Sequence, residues 1–253
     1  MKLLMYKAVK YIADWFLPNR CPVCNRLIPW NKYVCKNCEN KLVNISDDLC
    51  HVCAKIHCKN HSDLKFDTAV SLFEYADTAK DAIYALKYHN GTNFGEYAAV
   101  QLAEVLKKRG YAKQIDVVTC VPMSRQKLKR RHRNHSAVIA KTLAMYINKP
   151  FDDKLLVHLS SDTDHHRLEA KDRFKNAEAS FEVYPGHKDI KGKTVLICDD
   201  VYTTGSTFNS CCTLLRSIGA NKMIAASATT TFLKKESRDQ NTDIAKNRIV
   251  SQD

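Results

Sequence analysis

The residues from 194 to 207 constrain the fold of this chain more than any other stretch. They begin with an apolar run, Val195 to Cys198, that ends in two adjacent carboxylates, Asp199 and Asp200. A corner rich in hydroxyl side chains follows at Thr203 to Thr207, and the residues after it are typical of a helix. Because a buried parallel strand reads as a continuous apolar run, the pattern predicts a strand, a loop and a helix, with a ligand at the carboxyl end of the strand.

The corner after this strand suits a phosphate. The free N–H groups and the dipole of a helix N-terminus attract an anion, and Gly205 lets the backbone approach that anion closely. Asp199 and Asp200 would repel the phosphate, so we expect them to contact vicinal sugar hydroxyls or a hydrated Mg²⁺ beside it. Together these groups predict a site for a ribose 5-phosphate. The alternative, an ordinary strand followed by a capped helix, leaves the paired carboxylates unexplained.

This stretch also resembles the phosphoribosyl-pyrophosphate (PRPP) signature of the type I phosphoribosyltransferases. That signature has four apolar residues, two acids, an apolar residue, any residue and then Thr-Thr-Gly-small-Thr, as found here from Val195 onward. The resemblance implies that Asp199 and Asp200 contact the ribose of PRPP, which binds together with Mg²⁺. It assigns the 5-phosphate to Thr203, Thr204, Gly205, Ser206 and Thr207.

The cysteines are concentrated in one region. Seven of the eleven lie between Cys21 and Cys58. No signal-peptide pattern precedes them, since Lys7, Lys10 and Asp14 interrupt the apolar residues of the N-terminus. We therefore expect a cytoplasmic chain whose cysteines bind metal instead of forming disulfides.

The metal ligands fall into four pairs, each with the two-residue gap of a zinc knuckle. The pairs are Cys21 and Cys24, Cys35 and Cys38, Cys50 and Cys53, and Cys58 and His61. Eight ligands are enough for two closed, structural zinc sites, although the spacing does not show which pairs join. A single zinc held by the first two pairs is the conservative alternative, because the last pair contains only one thiolate.

Composition divides the chain into four parts. Residues 1–18 predict a basic amphipathic helix, for which packing on its own protein is favoured and an acidic membrane surface is the alternative. Residues 19–62 form the cysteine-rich region, which is too poor in large apolar residues to fold without metal. Residues 63–233 alternate strand-like and helix-like stretches, as expected of a parallel sheet flanked by helices. The polar residues 234–253 predict a disordered tail.

A strongly basic run follows the strand-like residues 115–121, in a chain whose formal net charge is +13. Since the run leaves the carboxyl end of a strand, we expect it on the same rim of the sheet as Asp199. Cations there suit a pyrophosphate, and Arg125, Lys127, Arg130 and Arg131 can supply them. The six basic residues within 125–133 exceed what one pyrophosphate requires, which favours a nucleic-acid backbone as a second ligand. A solvated basic face is the alternative.

The order of these features resembles the ComF family, bacterial competence proteins also called ComFC, with the related GntX proteins. The resemblance rests on the cysteine region, on Tyr75, Leu86, Lys87 and Tyr88, on the Val121-Pro122 loop with its basic run, on Leu168, Arg173 and Asn176, and on the PRPP signature. One departure lies in the basic run: where the family has Arg-Gly-Phe-Asn-Gln, this chain keeps only Arg131 and Asn134. A second lies in the polar segment 160–177, which we interpret as a lid or a connection; His166 stands where a glutamine is usual.

The resemblance implies an α/β fold, a type I phosphoribosyltransferase-like parallel sheet flanked by helices, behind a small N-terminal zinc-ribbon-like region. It also implies a role in natural transformation, handling incoming single-stranded DNA beside a ComF helicase and other competence proteins at the inner face of the membrane. It assigns pyrophosphate to the loop residues Val121, Pro122, Met123 and Ser124. To the DNA we assign Lys127, Lys129, Arg130, Arg131 and Arg133.

Two functional hypotheses follow. In the first, the protein binds PRPP with Mg²⁺ and holds single-stranded DNA on its basic surface. In the second, it is a working phosphoribosyltransferase that transfers phosphoribosyl from PRPP to a nitrogenous acceptor in nucleotide metabolism, by electrostatic stabilisation and without a covalent nucleophile. The first is favoured because a salvage enzyme needs a hood that reads a base, and zinc knuckles occupy the place in the sequence where such a hood is expected.

Overall fold

The computed structural model of the chain describes residues 2–56, 58, 60–88, 92–159 and 180–231. The polar segment 160–177 and the tail 234–253 lie outside the described residues, so the expectations for them stay predictions.

The N-terminal region contains one long helix and two short ones. These are α1 (Lys2–Asp14), α2 (Lys36–Glu39) and a single 3₁₀ turn (Ser46–Asp48). Lys10 attaches α1 to the rest of the protein, since its Nζ donates a hydrogen bond of 2.8 Å to a carboxylate oxygen of Glu96. The large apolar side chains of Leu4, Trp15 and Phe16 are exposed. Among the described residues, no helix is long and apolar enough to cross a membrane.

A four-stranded parallel sheet organises the remainder of the chain. Its strands are β1 (Thr68–Glu74), β2 (Val117–Cys120), β5 (Thr194–Tyr202) and β6 (Lys222–Thr230), in the order β1-β6-β5-β2. The helices are α3 (Asp77–Tyr88), α4 (Asn93–Lys108), α5 (Tyr111–Gln114), α6 (Arg125–Arg131), α7 (His135–Tyr146) and α8 (Ser206–Ser217). Strands β3 (Leu156–His158) and β4 (Phe181–Val183) form a separate antiparallel pair.

Helices cover both faces of the parallel sheet because both faces of its strands are apolar. Successive side chains of a strand point to opposite faces: Leu196 of β5 is buried in the cluster that contains the side chains of α4 and α7, and Ile197 in the cluster that contains those of α8. The prediction of a parallel sheet flanked by helices, behind a cysteine-rich N-terminal region, is confirmed.

Three details of the predicted chain path are wrong. Strand β5 does not end at the paired acids but continues through them to Tyr202. The basic run is not an irregular loop, because Arg125–Arg131 forms helix α6. The strand expected near Leu155 exists, but it pairs with β4 and does not join the parallel sheet.

Candidate functional site

The topology brings the two predicted ligand-binding loops together at the carboxyl edge of the sheet. Strands β2 and β5 are neighbours, with Cys120 opposite Cys198. The backbone N–H of Val121 continues this pairing and donates a hydrogen bond of 2.9 Å to the carbonyl of Cys198. The loop after β2 therefore begins directly beside Asp199, as the position of both segments after parallel strands predicts.

A cavity of about 330 Å³ lies at this edge. It is lined by side chains of both signs together with two aromatic rings. The lining comprises the loop residues Val121, Pro122, Met123 and Ser124; the acids Asp199 and Asp200; the cations Lys87, Lys127 and Arg131; the polar residues Asn134, Ser136, Ser180 and Thr207; and the rings of His158 and Phe181.

The paired acids are held by hydrogen bonds and an ion pair. One carboxylate oxygen of Asp199 accepts two hydrogen bonds of 2.8 Å, from the hydroxyl of Ser136 and from the backbone N–H of Asp200. The carboxylate of Asp200 lies 3.0 Å from Nζ of Lys87. Burial, with the neighbouring charge of Asp200, raises the pKa of Asp199 to about 7. Two adjacent carboxyl groups, one of them with a raised pKa, beside a cavity are typical of functional acid pairs.

The raised pKa predicts that Asp199→Asn stabilises the folded protein more at pH 8 than at pH 5. An acid whose pKa is raised on folding costs stability progressively between its unfolded pKa, about 3.9, and its folded pKa. Asparagine has no such cost and keeps the shape of the side chain. We expect the free energy of unfolding to rise at pH 8 by about 2–3 kcal/mol more than at pH 5. Urea denaturation at both pH values measures this difference, and an equal effect at both would contradict it.

The corner after β5 has the backbone geometry that an anion-binding loop needs. Gly205 has φ of +93°, a region that favours glycine, and precedes the first residue of α8. A Cβ at this position would lie only 3.0 Å from the ring of Tyr202. The side chains of Thr203, Thr204 and Ser206 are exposed, and of the five residues in the corner only Thr207 lines the cavity. The loop therefore lies beside the cavity and opens to solvent.

Helix α6 divides the basic residues between two directions. Lys127 and Arg131 are four positions apart, so they share one helix face, and both line the cavity. Lys129 and Arg130 are exposed on α6 and do not line it, and neither does Arg125, which the sequence assigned to the pyrophosphate. Arg133, which follows the helix, is half-buried and also lies outside the cavity lining. The cations assigned to DNA thus separate into an inward-facing and an outward-facing set.

Sequence reasoning missed several residues that support the site. The side-chain amide of Asn134 donates to the carbonyl of Val121 at 2.9 Å, and its oxygen accepts from the N–H of Ser136, so it braces the loop after β2 against α7. Lys87 was noted only as part of a family pattern, without its partner Asp200. Tyr88 stacks with the guanidinium of Arg131, which lies 5.1 Å from the ring centroid. These contacts join distant segments, and spacing along one segment does not reveal them.

The metal ligands form two clusters. The first contains Cys21, Cys24, Cys35 and Cys38, and the second contains Cys50, Cys53, Cys58 and His61; within each cluster all ligand atoms lie within 4.8 Å of one another. The structure therefore joins the first pair with the second and the third with the fourth, a pairing that the sequence left open. Four sulfur ligands, or three with one imidazole, fit a tetrahedral zinc ion with no open position. Such sites are structural.

Comparison with known families agrees with both parts of the chain. The double zinc ribbon domain family matches residues 12–68, and the phosphoribosyl transferase domain family matches residues 102–250. Because the second match covers more than half of the 253 residues, the chain belongs to the phosphoribosyl transferase domain family.

The chain also has curated relatives of the predicted kind. The DNA utilization protein YhgH of Escherichia coli (strain K12) is 25% identical over 203 residues, which are 79% of this chain and 85% of that protein. Competence protein F of Haemophilus influenzae is 25% identical over 175 residues, 66% of this chain and 75% of that protein. The predicted ComF resemblance is confirmed.

Solved structures give a weaker match. The phosphoribosylpyrophosphate synthetase of Mycobacterium smegmatis aligns with 53% of this chain and 33% of that chain, at 22% identity and a TM-score of 0.34.

Proposed function

We propose that this protein binds PRPP with Mg²⁺ at the carboxyl edge of its parallel sheet and holds single-stranded DNA on the outward face of α6. One observation carries the first half of the proposal. Paired acids, the loop Val121 to Ser124 and three cations converge on one cavity of about 330 Å³. This is the chemistry that a ribose carrying phosphate and pyrophosphate groups requires.

Each part of PRPP has a partner in this arrangement. Asp199 and Asp200 accept hydrogen bonds from the ribose hydroxyls, and the corner at Thr203 to Thr207 binds the 5-phosphate. In the loop after β2, Met123 and Ser124 supply backbone N–H groups to the pyrophosphate, since Pro122 has none and that of Val121 is bonded to Cys198, and Lys127 and Arg131 neutralise it. Asp199 and Asp200 would also be the residues to hold a hydrated Mg²⁺, which would offset the negative charge of the pyrophosphate. The residues fit these roles because acids and cations line the same cavity.

The DNA half of the proposal rests on the outward surface of α6 and on two exposed tyrosines of α3, of which Tyr88 contacts Arg131 of α6. Lys129 and Arg130 are exposed cations suited to a phosphate backbone. Tyr84 and Tyr88 of the neighbouring helix α3 are 57% and 49% exposed, with ring centroids 4.7 Å apart. Exposed aromatic rings beside cations are the means by which proteins stack the bases of single strands. The names of the two relatives, DNA utilization protein and competence protein, support this choice of polymer.

Two variants of α6 with the same charge change separate the two halves of the proposal. Lys129→Gln with Arg130→Gln should weaken single-stranded DNA binding and reduce the slope of log K against log salt by about 1.4, since each lost phosphate contact contributes about 0.7. The affinity for Mg-PRPP should not change. Lys127→Gln with Arg131→Gln should weaken Mg-PRPP binding. Fluorescence anisotropy of a labelled oligonucleotide at several salt concentrations and calorimetric titration of PRPP measure the two affinities.

Each of the two α6 variants has an outcome that would contradict one half of the proposal. An outward-face variant with unchanged DNA affinity and salt slope would remove α6 from the DNA surface. An inward-face variant that binds Mg-PRPP as tightly as the wild type would remove Lys127 and Arg131 from the pyrophosphate site. Circular dichroism and thermal unfolding of both variants serve as folding controls.

One observation favours a second candidate function, phosphoribosyl transfer. The metal ligands of the two clusters do not line the described cavity. His158 and Phe181, from β3 and β4, line it instead, with ring centroids 5.1 Å apart. Aromatic rings beside the acids could hold an acceptor base. In the transfer, the bond from C1 to pyrophosphate breaks, a C1–N bond forms, and the acceptor nitrogen loses its proton to solvent; pyrophosphate release in the presence of mixed bases tests it.

A further inference from the structure

Lys55 belongs to the turn of the second metal cluster, yet its ammonium lies at the carboxyl edge of the parallel sheet. Four oxygens surround its Nζ: the carbonyls of Tyr202, Thr203 and Thr231 at 3.1, 2.5 and 2.9 Å, and the hydroxyl of Thr230 at 2.8 Å. Its Nζ is also 4.1 Å from the centroid of the Tyr202 ring. Three of these four are backbone carbonyl oxygens: that of Tyr202 at the end of β5, that of Thr203 just after β5, and that of Thr231 just after β6.

The turn of the cluster fixes the backbone of Lys55. The N–H of Cys50 donates to the carbonyl of Lys55 at 3.0 Å, and the N–H of Ala54 donates to the carbonyl of Cys50 at 2.8 Å. Ala54 has φ of +49°, an uncommon conformation for alanine. A metal ion held by Cys50 and Cys53 would close the same turn from its other side. The side chain of Lys55 therefore starts from a constrained position.

The first metal cluster contains an equivalent turn, but the residue that corresponds to Lys55 does not reach the parallel sheet. The N–H of Cys21 donates to the carbonyl of Arg26 at 2.8 Å, and the N–H of Asn25 donates to the carbonyl of Cys21 at 2.9 Å. Asn25 likewise has a positive φ of 58°. Arg26 thus occupies the position of Lys55, but its side chain is exposed. The contacts of Lys55 are accordingly a feature of the second cluster and not of the turn as such.

The oxygens that Lys55 contacts lie at the start of the phosphate-binding corner. Thr203 is the first residue of that corner, and the ring of Tyr202 lies directly beneath Gly205. The same ring packs against Phe208, with centroids 5.5 Å apart. A cation that holds the carbonyls of Tyr202 and Thr203 therefore restrains the corner through residues that do not line the cavity.

We propose that Lys55 is a positioning residue through which the second metal-binding turn fixes the phosphate-binding corner. Lys55 does not contact the ligand; it limits the conformations that the corner adopts before PRPP binds, so that less freedom is lost on binding. The inference rests on the proposed PRPP site, and it assigns to the zinc-ribbon region a direct part in forming that site.

Lys55→Met and Arg26→Met, each made in the full chain, test the proposal. Each substitution removes one positive charge, and the two residues occupy equivalent positions in the turns of the two clusters. Lys55→Met should raise the Kd for Mg-PRPP about tenfold, because an unrestrained corner loses more conformational freedom on binding. It should also accelerate amide hydrogen exchange in residues 203–207 while zinc content stays at the wild-type value. Arg26→Met should change neither quantity.

Two readouts keep this inference separate from the proposed function. If the wild type does not bind Mg-PRPP, the proposed function fails, and hydrogen exchange in residues 203–207 still tests the positioning role. If Lys55→Met binds Mg-PRPP and exchanges its amides as the wild type does, the positioning role is overturned. If Lys55→Met does not fold, Lys55→Gln is measured in both assays with the same expected and overturning results, since its shorter neutral side chain cannot reach the four oxygens.

Discussion

Replacing both acids of β5, as Asp199→Asn with Asp200→Asn, should raise the Kd for Mg-PRPP by a factor of at least about 100. Each carboxylate accepts hydrogen bonds from ribose hydroxyls in the proposed complex, and a hydrogen bond to a charged group contributes about 1.5–3 kcal/mol. Asparagine keeps the shape of the side chain but loses the charge. Two such losses correspond to about two orders of magnitude in Kd or more. Calorimetric titration of PRPP in the presence of Mg²⁺ measures the change.

A second pair of neighbouring acids provides the control for net charge. Asp47→Asn with Asp48→Asn changes the charge by the same amount in the 3₁₀ turn of the N-terminal region. We expect this variant to bind Mg-PRPP as the wild type does. Wild-type affinity in the Asp199 and Asp200 variant would contradict the assignment of the acids, and an equal loss in both variants would show that only the overall charge matters.

The second large effect expected is the loss of zinc, with local unfolding, when the ligands of either metal cluster are replaced. Elemental analysis of the purified wild type should find two zinc ions per chain. Cys21→Ser with Cys24→Ser should retain only the ion of the second cluster, and Cys50→Ser with Cys53→Ser only that of the first. Each loss should also unfold the affected part of the N-terminal region, because structural zinc contributes about 10–16 kcal/mol of apparent binding free energy in small zinc domains. Resistance to limited proteolysis in residues 19–62 reports that unfolding.

The same experiment distinguishes two zinc sites from one. If the second cluster holds no zinc, the wild type will contain one ion, and Cys50→Ser with Cys53→Ser will remove none. Cys211→Ala with Cys212→Ala is the matched control, since it removes two adjacent cysteines that are buried in α8 and belong to neither cluster. Its zinc content should equal that of the wild type.

The parts of this structure that sequence predicts well are those encoded within one segment. The apolar run before Asp199 is long enough to identify a buried parallel strand, and the glycine at 205 identifies the turn into α8. The two-residue gaps identify the metal ligands for a similar reason, because a knuckle is a local turn. The convergence of the loop after β2 with the acids of β5 also follows from the sequence, since parallel strands place their carboxyl ends on one edge.

The parts that sequence does not predict depend on contacts between distant segments. The sequence marks Lys87 as part of a family pattern but does not show its partner, and only the fold places it 3.0 Å from Asp200. Lys55 follows a zinc knuckle exactly as Arg26 does, yet only Lys55 reaches the sheet. The pairing of β3 with β4 joins residues on either side of segment 160–177, and short apolar runs do not show which partner they choose.

The central claim is that the cavity at the carboxyl edge of the sheet is a PRPP site. Isothermal titration of PRPP into the wild-type chain with excess Mg²⁺ tests it most directly. We predict saturable binding of one PRPP per chain, lost in the Asp199→Asn, Asp200→Asn variant. No detectable binding to a folded, zinc-loaded wild type would contradict the claim and would leave the outward basic face of α6, with its neighbouring tyrosines, as the main functional surface of the molecule.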